Sequence, residues 1–336
     1  MRILGYLLRP MLMALLMIGL LPLTSCESLY DDIEACPTGV RLRFIYEYNM
    51  NFDNAFSQVD CLTLFIYDSE GNYIGTRTGF KPEISAPEYR MTLDLEPGKY
   101  SMIAYGGMEC EESSFSFVTP PESTREQDLD VELKPEYLLK TNDKPLHHLY
   151  YGALDIEVPE PGNGTTYTDG TVYMIKDTND IRIILANETG IPTDEADFEF
   201  TIEDNNRVLN WQNLPAEQTM ITYYPWAKGN VVAGIYGTDK TAQMAYAEIS
   251  TSRLMADSHA VLKINRVSDG FEVASIPLIT FLKQLRSDRY KWMTPQEFLD
   301  RQSMWNLTFI LTGSGEWTKV SIVINDWLVR INDIEQ

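Results

Sequence analysis

Between residues 39 and 48 apolar side chains fall on alternate positions: Val40, Leu42, Phe44, Tyr46 and Tyr48 share one side, while Arg41, Arg43 and Glu47 take the other. A period of two marks a half-buried β-strand, because successive side chains of an extended chain point to opposite faces. The pattern recurs in Leu62, Leu64 and Ile66, in Met91, Leu93 and Leu95, in Tyr100, Met102 and Ala104, and briefly in Val131 and Leu133. Turn residues separate these runs, with Asp68, Ser69, Glu70, Gly71 and Asn72 after the second and Pro97 with Gly98 after the third. Short strands punctuated in this way, with no long helical pattern between them, constrain the chain to an antiparallel all-β sandwich. The acidic residues at 68–72 are too few for a twelve-position calcium loop, so they read as a turn.

The first 25 residues stand apart. Arg2 and Arg9 precede an apolar run from 11 to 21, and Thr24 and Ser25 lead to Cys26. This is the layout of a secretory signal peptide. Residues Leu23, Thr24, Ser25 and Cys26 also match the bacterial lipobox, in which cleavage between Ser25 and Cys26 leaves a cysteine carrying a diacylglyceryl group. The apolar run is shorter than the ~20 residues that span a bilayer, which disfavours an uncleaved anchor. Cleavage without lipid would place no demand on a cysteine at the cut. Two or three acyl chains hold a protein durably on a membrane, so the lipid alone suffices as an anchor.

Removing the leader takes the formal net charge from −22 to −24, since it carries two arginines and no acid. Such a balance opposes nucleic acid and anionic lipid as partners. A hydrophobic content of 44% nevertheless indicates folded domains rather than an acidic disordered chain. Residues 26–36 read as a lipidated acidic tether, with Glu27, Asp31, Asp32 and Glu34 and little apolar periodicity. The 311 residues left by the leader suit two cores. Pro159, Glu160, Pro161, Gly162, Asn163 and Gly164 supply the clearest break, dividing 37–160 from 161–336. Beyond it the strand pattern restarts at Val172 and Met174 and continues through Ile181, Ile183 and Leu185 to Phe198, Phe200 and Ile202.

One helix is legible in the second half. Thr294 is a good N-cap, Pro295 fits the first helical position and Glu297 completes a capping box, so that Phe298 and Leu299 face the core while Asp300 and Arg301 stay wet. After the strand at 307–311, residues 320–329 place Ile322 and Ile324 on one face and Val323, Trp327 and Val329 on the other. A strand apolar on both faces is covered by two layers or given to another subunit.

With Cys26 lipidated, Cys36, Cys61 and Cys110 remain, allowing at most one internal disulfide. Cys61 opens one strand pattern and Cys110 closes another. If those strands run antiparallel side by side the two thiols meet at one edge, and this pairing is favoured over two free buried thiols. The spacings match no zinc signature, and His147, His148 and His259 do not cluster with the cysteines, which places no metal or other cofactor in the chain. His147 and His148 read as loop residues. Neighbouring carboxylates such as Glu111 and Glu112 read as solvated surface. No His–Glu helix motif, nucleophile elbow or phosphate loop is present, so the sequence does not read as an enzyme.

The lipobox, the strand at 39–48 behind Cys36 and Pro37, the run 59–67 into its turn, and 97–107 resemble the FimB-like minor fimbrial subunits. The resemblance continues in 295–302, 305–311 and 320–327. It implies two tandem transthyretin-like β-sandwiches, with one or two short helices in the second, in a lipoprotein of the outer membrane. It also implies an anchor or accessory role in a type V pilus, with shaft or accessory pilins as partners and strand exchange as the means of joining. Ile322, Ile324 and Trp327 are the candidate residues for that exchange. The rival is a surface lipoprotein that binds glycans, using some of six tryptophans and nineteen tyrosines, although aromatics of all-β domains more often fill cores.

Overall fold

The computed structural model describes residues 37–47, 49, 59–108, 110–161, 166–234, 241–286 and 290–311, together with the backbone of Val320–Ile324 and Trp327–Val329. The leader, Ser25, Cys26, the acidic tether and Cys36 lie outside the described residues.

The first sandwich uses β1 (Thr38–Ile45), β2 (Cys61–Asp68), β3 (Tyr73–Phe80), β4 (Met91–Asp94) and β5 (Gly98–Gly106). Two short strands, β6 (Phe115–Phe117) and β7 (Val131–Leu133), precede β8 (Tyr150–Val158), β9 (Thr166–Tyr173) and β10 (Ile175–Lys176). One sheet has the order β4-β1-β9 and the other β10-β8-β5-β2-β3. Alternation explains how they close: Val40, Leu42 and Phe44 of β1 meet Leu62, Leu64 and Ile66 of β2 and Met102 and Ala104 of β5 in one core. Arg41 and Arg43 point away to solvent.

The division at 160/161 is corrected by the strands. β9 pairs with β1 in parallel along its whole length, and β10 pairs with β8, so both belong to the first sandwich. β8, before the proline and glycine stretch, lies in one sheet of this sandwich and β9, after it, in the other, and the change of sandwich falls at Asp177. Proline and glycine bar a strand locally but do not reveal which sheet the next strand joins.

The second sandwich begins with β11 (Thr178–Asn187), followed by β12 (Phe198–Asp204), β13 (Val208–Leu209), β14 (Ile221–Tyr223), β15 (Ala227–Gly234) and β16 (Thr241–Ser252). After β17 (Val261–Arg266) and β18 (Glu272–Pro277) come the helices α1 (Leu278–Gln284) and α2 (Pro295–Arg301), then β19 (Met304–Leu311), β20 (Val320–Ile324) and β21 (Trp327–Val329). A six-stranded sheet of order β15-β16-β11-β19-β20-β21 faces a four-stranded sheet of order β14-β12-β17-β18. Ile181, Ile183 and Leu185 of β11 and Trp305, Leu307 and Phe309 of β19 fill the interior against Phe200, Ile202, Leu262 and Ile264. Trp305, wholly buried, sets its ring edge-on to Phe298 of α2 with centroids 6.0 Å apart.

The two sandwiches share a continuous core. Phe65 and Tyr67 of β2, with Ile103 and Tyr105 of β5, point away from the first interior and join the same cluster as the second sandwich's strands. A third sheet, β13-β7-β6, crosses the junction because β13 of the second half pairs with β7 of the first. β2 is therefore covered on both faces, and every residue from Cys61 to Tyr67 is buried.

The cap of α2 forms as the residues require. Thr294 accepts a hydrogen bond from the Glu297 backbone N–H at 3.1 Å, a contact that contributes about 1 kcal/mol. Glu297 turns its side chain to Arg301 at 3.0 Å. Asp300 and Arg301 depart from the wet face expected of them. Asp300 is buried under Arg253, and Arg301 reaches the Glu47 carbonyl at 3.2 Å, because partners elsewhere in the fold accept charge on that face.

Candidate functional site

Among the described residues no group of three or more His, Cys, Asp or Glu side chains could hold a metal ion. The carboxylate of Asp68 is occupied by its own turn, accepting from the backbone N–H groups of Glu70 at 2.8 Å and Asn72 at 2.9 Å. Hydrogen bonds from the Asn72 side chain and backbone hold its pKa below the ordinary carboxylate value. His147 lies in a loop between Glu112, 3.1 Å from Nε2, and Ser114, 3.2 Å from Nδ1. A serine, a histidine and an acid in line resemble a hydrolase triad, but Ser114 is wholly buried and out of a substrate's reach. Its hydroxyl accepts from the His147 backbone N–H at 2.8 Å and fastens the loop.

Cys61 and Cys110 are joined in the structure, with sulfurs 2.09 Å and Cα atoms 5.4 Å apart. The bond ties the start of β2 to the loop that follows β5. Gly107 makes the turn between them: its φ is +84°, and a Cβ there would stand 2.1 Å from the His148 carbonyl oxygen. Only glycine fits both constraints.

Asp177 sits wholly buried where the first sandwich passes into the second. Its backbone N–H donates to the Leu149 carbonyl at 2.7 Å, and its Oδ1 accepts from Asn213 Nδ2 at 2.8 Å. Arg253 approaches to 3.9 Å, too far for a hydrogen bond, because its guanidinium is held by both oxygens of Asp300 at 2.9 and 2.8 Å. Arg253 also donates to the Asn213 carbonyl, and Asn213 adopts the left-handed φ of +61° that presents both groups. Burial pushes the Asp177 pKa up to about 7, against the pull of Arg253 and Asn213. Tyr151 of β8 adds a further tie, donating to the Trp211 carbonyl at 2.7 Å. These groups fix the two sandwiches to each other. Sequence reading missed them, since Asp177, Asn213, Arg253 and Asp300 are scattered along the chain without a motif.

The edges of the six-stranded sheet are among the places where another chain could pair. The backbone at Ile322 and Ile324, two of the strand-exchange candidates, lies in β20 opposite Phe309 and Leu307 of β19. Trp327, the third, opens β21, which pairs with β20 and ends the sheet. At the opposite end β15 pairs with β16 alone, and no strand of the described residues lies outside it. Beside its first residues a cavity of about 360 Å³ opens between the two sheets, walled by Phe200, Tyr224 and Trp226. Lys140, Lys228 and Arg266 stand at its mouth, paired with Glu199, Glu195 and Asp269 respectively. This edge escaped the sequence reading because its residues, interrupted by Gly229 and Asn230, show no clean alternation.

Comparison with known proteins follows the same architecture. The sequence matches the family described as fimbrillin-A associated anchor proteins Mfa1 and Mfa2 over residues 33–333. A candidate adhesin from Bacteroides thetaiotaomicron is 47% identical, with a TM-score of 0.81, the match covering 90% of this chain and 100% of that one. A candidate polysaccharide-binding protein of the same organism is 27% identical, with a TM-score of 0.73 and coverage of 90% and 100%. The fimbrial anchor protein Mfa2 from Porphyromonas gingivalis shares the fold at 15% identity, with a TM-score of 0.67 and coverage of 87% and 99%. The comparison with curated proteins returned no match.

Proposed function

From the premise that this chain belongs to the family of fimbrillin-A associated anchor proteins Mfa1 and Mfa2, we propose that it is a minor subunit of a type V fimbria, acting as anchor or accessory. It is fixed to the outer membrane through lipid on Cys26 and joins its neighbour by exchange of an extended strand. The observation that carries this reading is the arrangement of the last strands. The last described strands, β20 and β21, lie at the margin of a sheet, where a segment can leave one domain and complete another by the same main-chain hydrogen bonds. Ile322, Ile324 and Trp327 then supply the side chains that set register. Cys61 and Cys110 brace the first sandwich, an arrangement suited to an exported protein.

Glycan binding through aromatic platforms receives less support. Trp305, Tyr105, Tyr150 and Tyr223 are buried, so these rings fill cores instead of presenting a sugar-stacking face. The proposal is tested by isolating fimbriae from the native cell and from a strain carrying Cys26→Ala. The expected result is that the chain co-purifies with fimbriae and labels with radioactive palmitate, and that the variant neither labels nor keeps fimbriae on the cell. Fimbriae free of the chain, or retained and labelled in the variant, would contradict it.

A further inference from the structure

The strand β15 has the features of an acceptor. Its outer side is unpaired by any described strand, and Val231 and Val232 are 40% and 71% exposed. Successive residues point to opposite faces, so the strand shows apolar side chains to water on both. Natural sheets blunt such edges with lysine, proline or a bulge, because an unpaired apolar edge is a template for another chain. Here the one charged residue, Lys228, stands at the far end and is bound 2.8 Å from Glu195. Lys228 and Asn230 pair with Ala247 and Ala245, which face the core, so the inner face of β15 is the side on which the 360 Å³ cavity opens.

We infer that β15 and its adjoining cavity receive an extended strand from a neighbouring fimbrial subunit, with one large apolar side chain of that strand seated against Tyr224 and Trp226; this rests on the fimbrial reading above. Main-chain pairing along an edge provides adhesion, and a pocket for an alternate side chain sets register. The ion pairs at the mouth are balanced, so a neutral apolar residue meets no local net charge there. A second copy of this chain fits less well. Antiparallel pairing of β15 with its own copy would bring Ala233 or Gly234 to the cavity, and neither can fill it. The incoming strand therefore has a different sequence, with a large residue at the matching position.

The test uses the mature chain and fimbriae purified from native cells that lack it, immobilised for binding. Val232→Lys places a charge on the exposed edge, and Val267→Lys places one at the cavity mouth, where Val267 is 61% exposed and so gives up little buried surface. Ile74→Lys, on the exposed edge strand β3 of the first sandwich, is the control. The expected result is a loss of about tenfold or more in affinity for each of the first two variants, with unchanged melting temperature, and no change for the control. Wild-type binding that survives both substitutions overturns the assignment of this edge while leaving the fimbrial reading intact. Failure of the wild-type chain to bind fimbriae overturns both. Self-association of the chain in sedimentation, lost in Val232→Lys, would give the edge to a second copy and likewise overturn the proposal.

Discussion

The first sandwich presents a sheet buried along both faces, whereas the long sheet of the second turns part of its outer face to solvent and buries a small separate cluster of Ala186, Ala242 and Met244 there. In the first, β2 and β5 lie between the β4-β1-β9 sheet and the shared core, and a disulfide closes one end. In the second, the six-stranded sheet packs its inner face on the four-stranded sheet and the helices, while its outer face carries Arg182 and Met304 to solvent. Its edge strand β15 is exposed along its second half. A doubly covered sheet resists any change, since each side chain it loses leaves a void that neighbours cannot fill. A sheet with an open edge can gain a strand without unfolding. In the role proposed above, joining a neighbour falls to the second sandwich.

The largest effect is expected where coverage is double. Phe65, buried and set edge-on to Phe117 with centroids 5.0 Å apart, should cost about 3–5 kcal/mol when truncated in Phe65→Ala, read from urea unfolding. A loss below about 1 kcal/mol would mean that the shared core is not packed. Opening the disulfide comes next. Replacing Cys61 and Cys110 by serine frees a loop with a sequence separation of 49, worth about 4 kcal/mol in the chain-entropy model and about 2–5 in practice. Equal stability with and without reductant would show that the bond does not brace the domain.

The junction predicts an effect that depends on pH and is smaller than these over any one pH unit. Because the folded Asp177 has its pKa raised to about 7 from an ordinary 3.8, the native state keeps a proton that the unfolded chain has already released between those values. Its contribution to stability is therefore fully present below about pH 4 and is lost as pH rises toward 7, by up to about 1.4 kcal/mol per pH unit. Asp177→Asn should remove that slope in unfolding free energies measured at pH 5, 6 and 7. An unchanged slope would place the responsible group elsewhere. The smallest effect belongs to the open edge, where Val232→Ala should change stability by no more than about 0.5 kcal/mol, since its side chain is mostly in water. A larger loss would show that the edge is already covered.

These contrasts also explain what could be read before folding. Alternation at Val40, Leu42 and Phe44 reveals a half-covered strand because one face must stay polar. The run from Cys61 to Tyr67 shows the limit: only Leu62, Leu64 and Ile66 stand out by period, yet Phe65 and Tyr67 are buried as well, on the face that meets the second sandwich. Local periodicity carries no record of a second layer. The cap at Thr294 was legible because capping is decided within four residues. The burial of Asp300 was not, since it depends on Arg253, 47 residues away. Likewise β9 follows a break that looks like a domain boundary, and only its pairing with β1 returns it to the first sandwich.

Hydrogen exchange of the mature chain, alone and bound to isolated fimbriae, tests most directly whether the second sandwich does the joining. The account predicts that backbone amides of β15 and of β20–β21 gain protection on binding, while those of β2 and β5 exchange at the same slow rate in both states. Protection gained along β3 or elsewhere in the first sandwich, with β15 and β20–β21 unchanged, would contradict it.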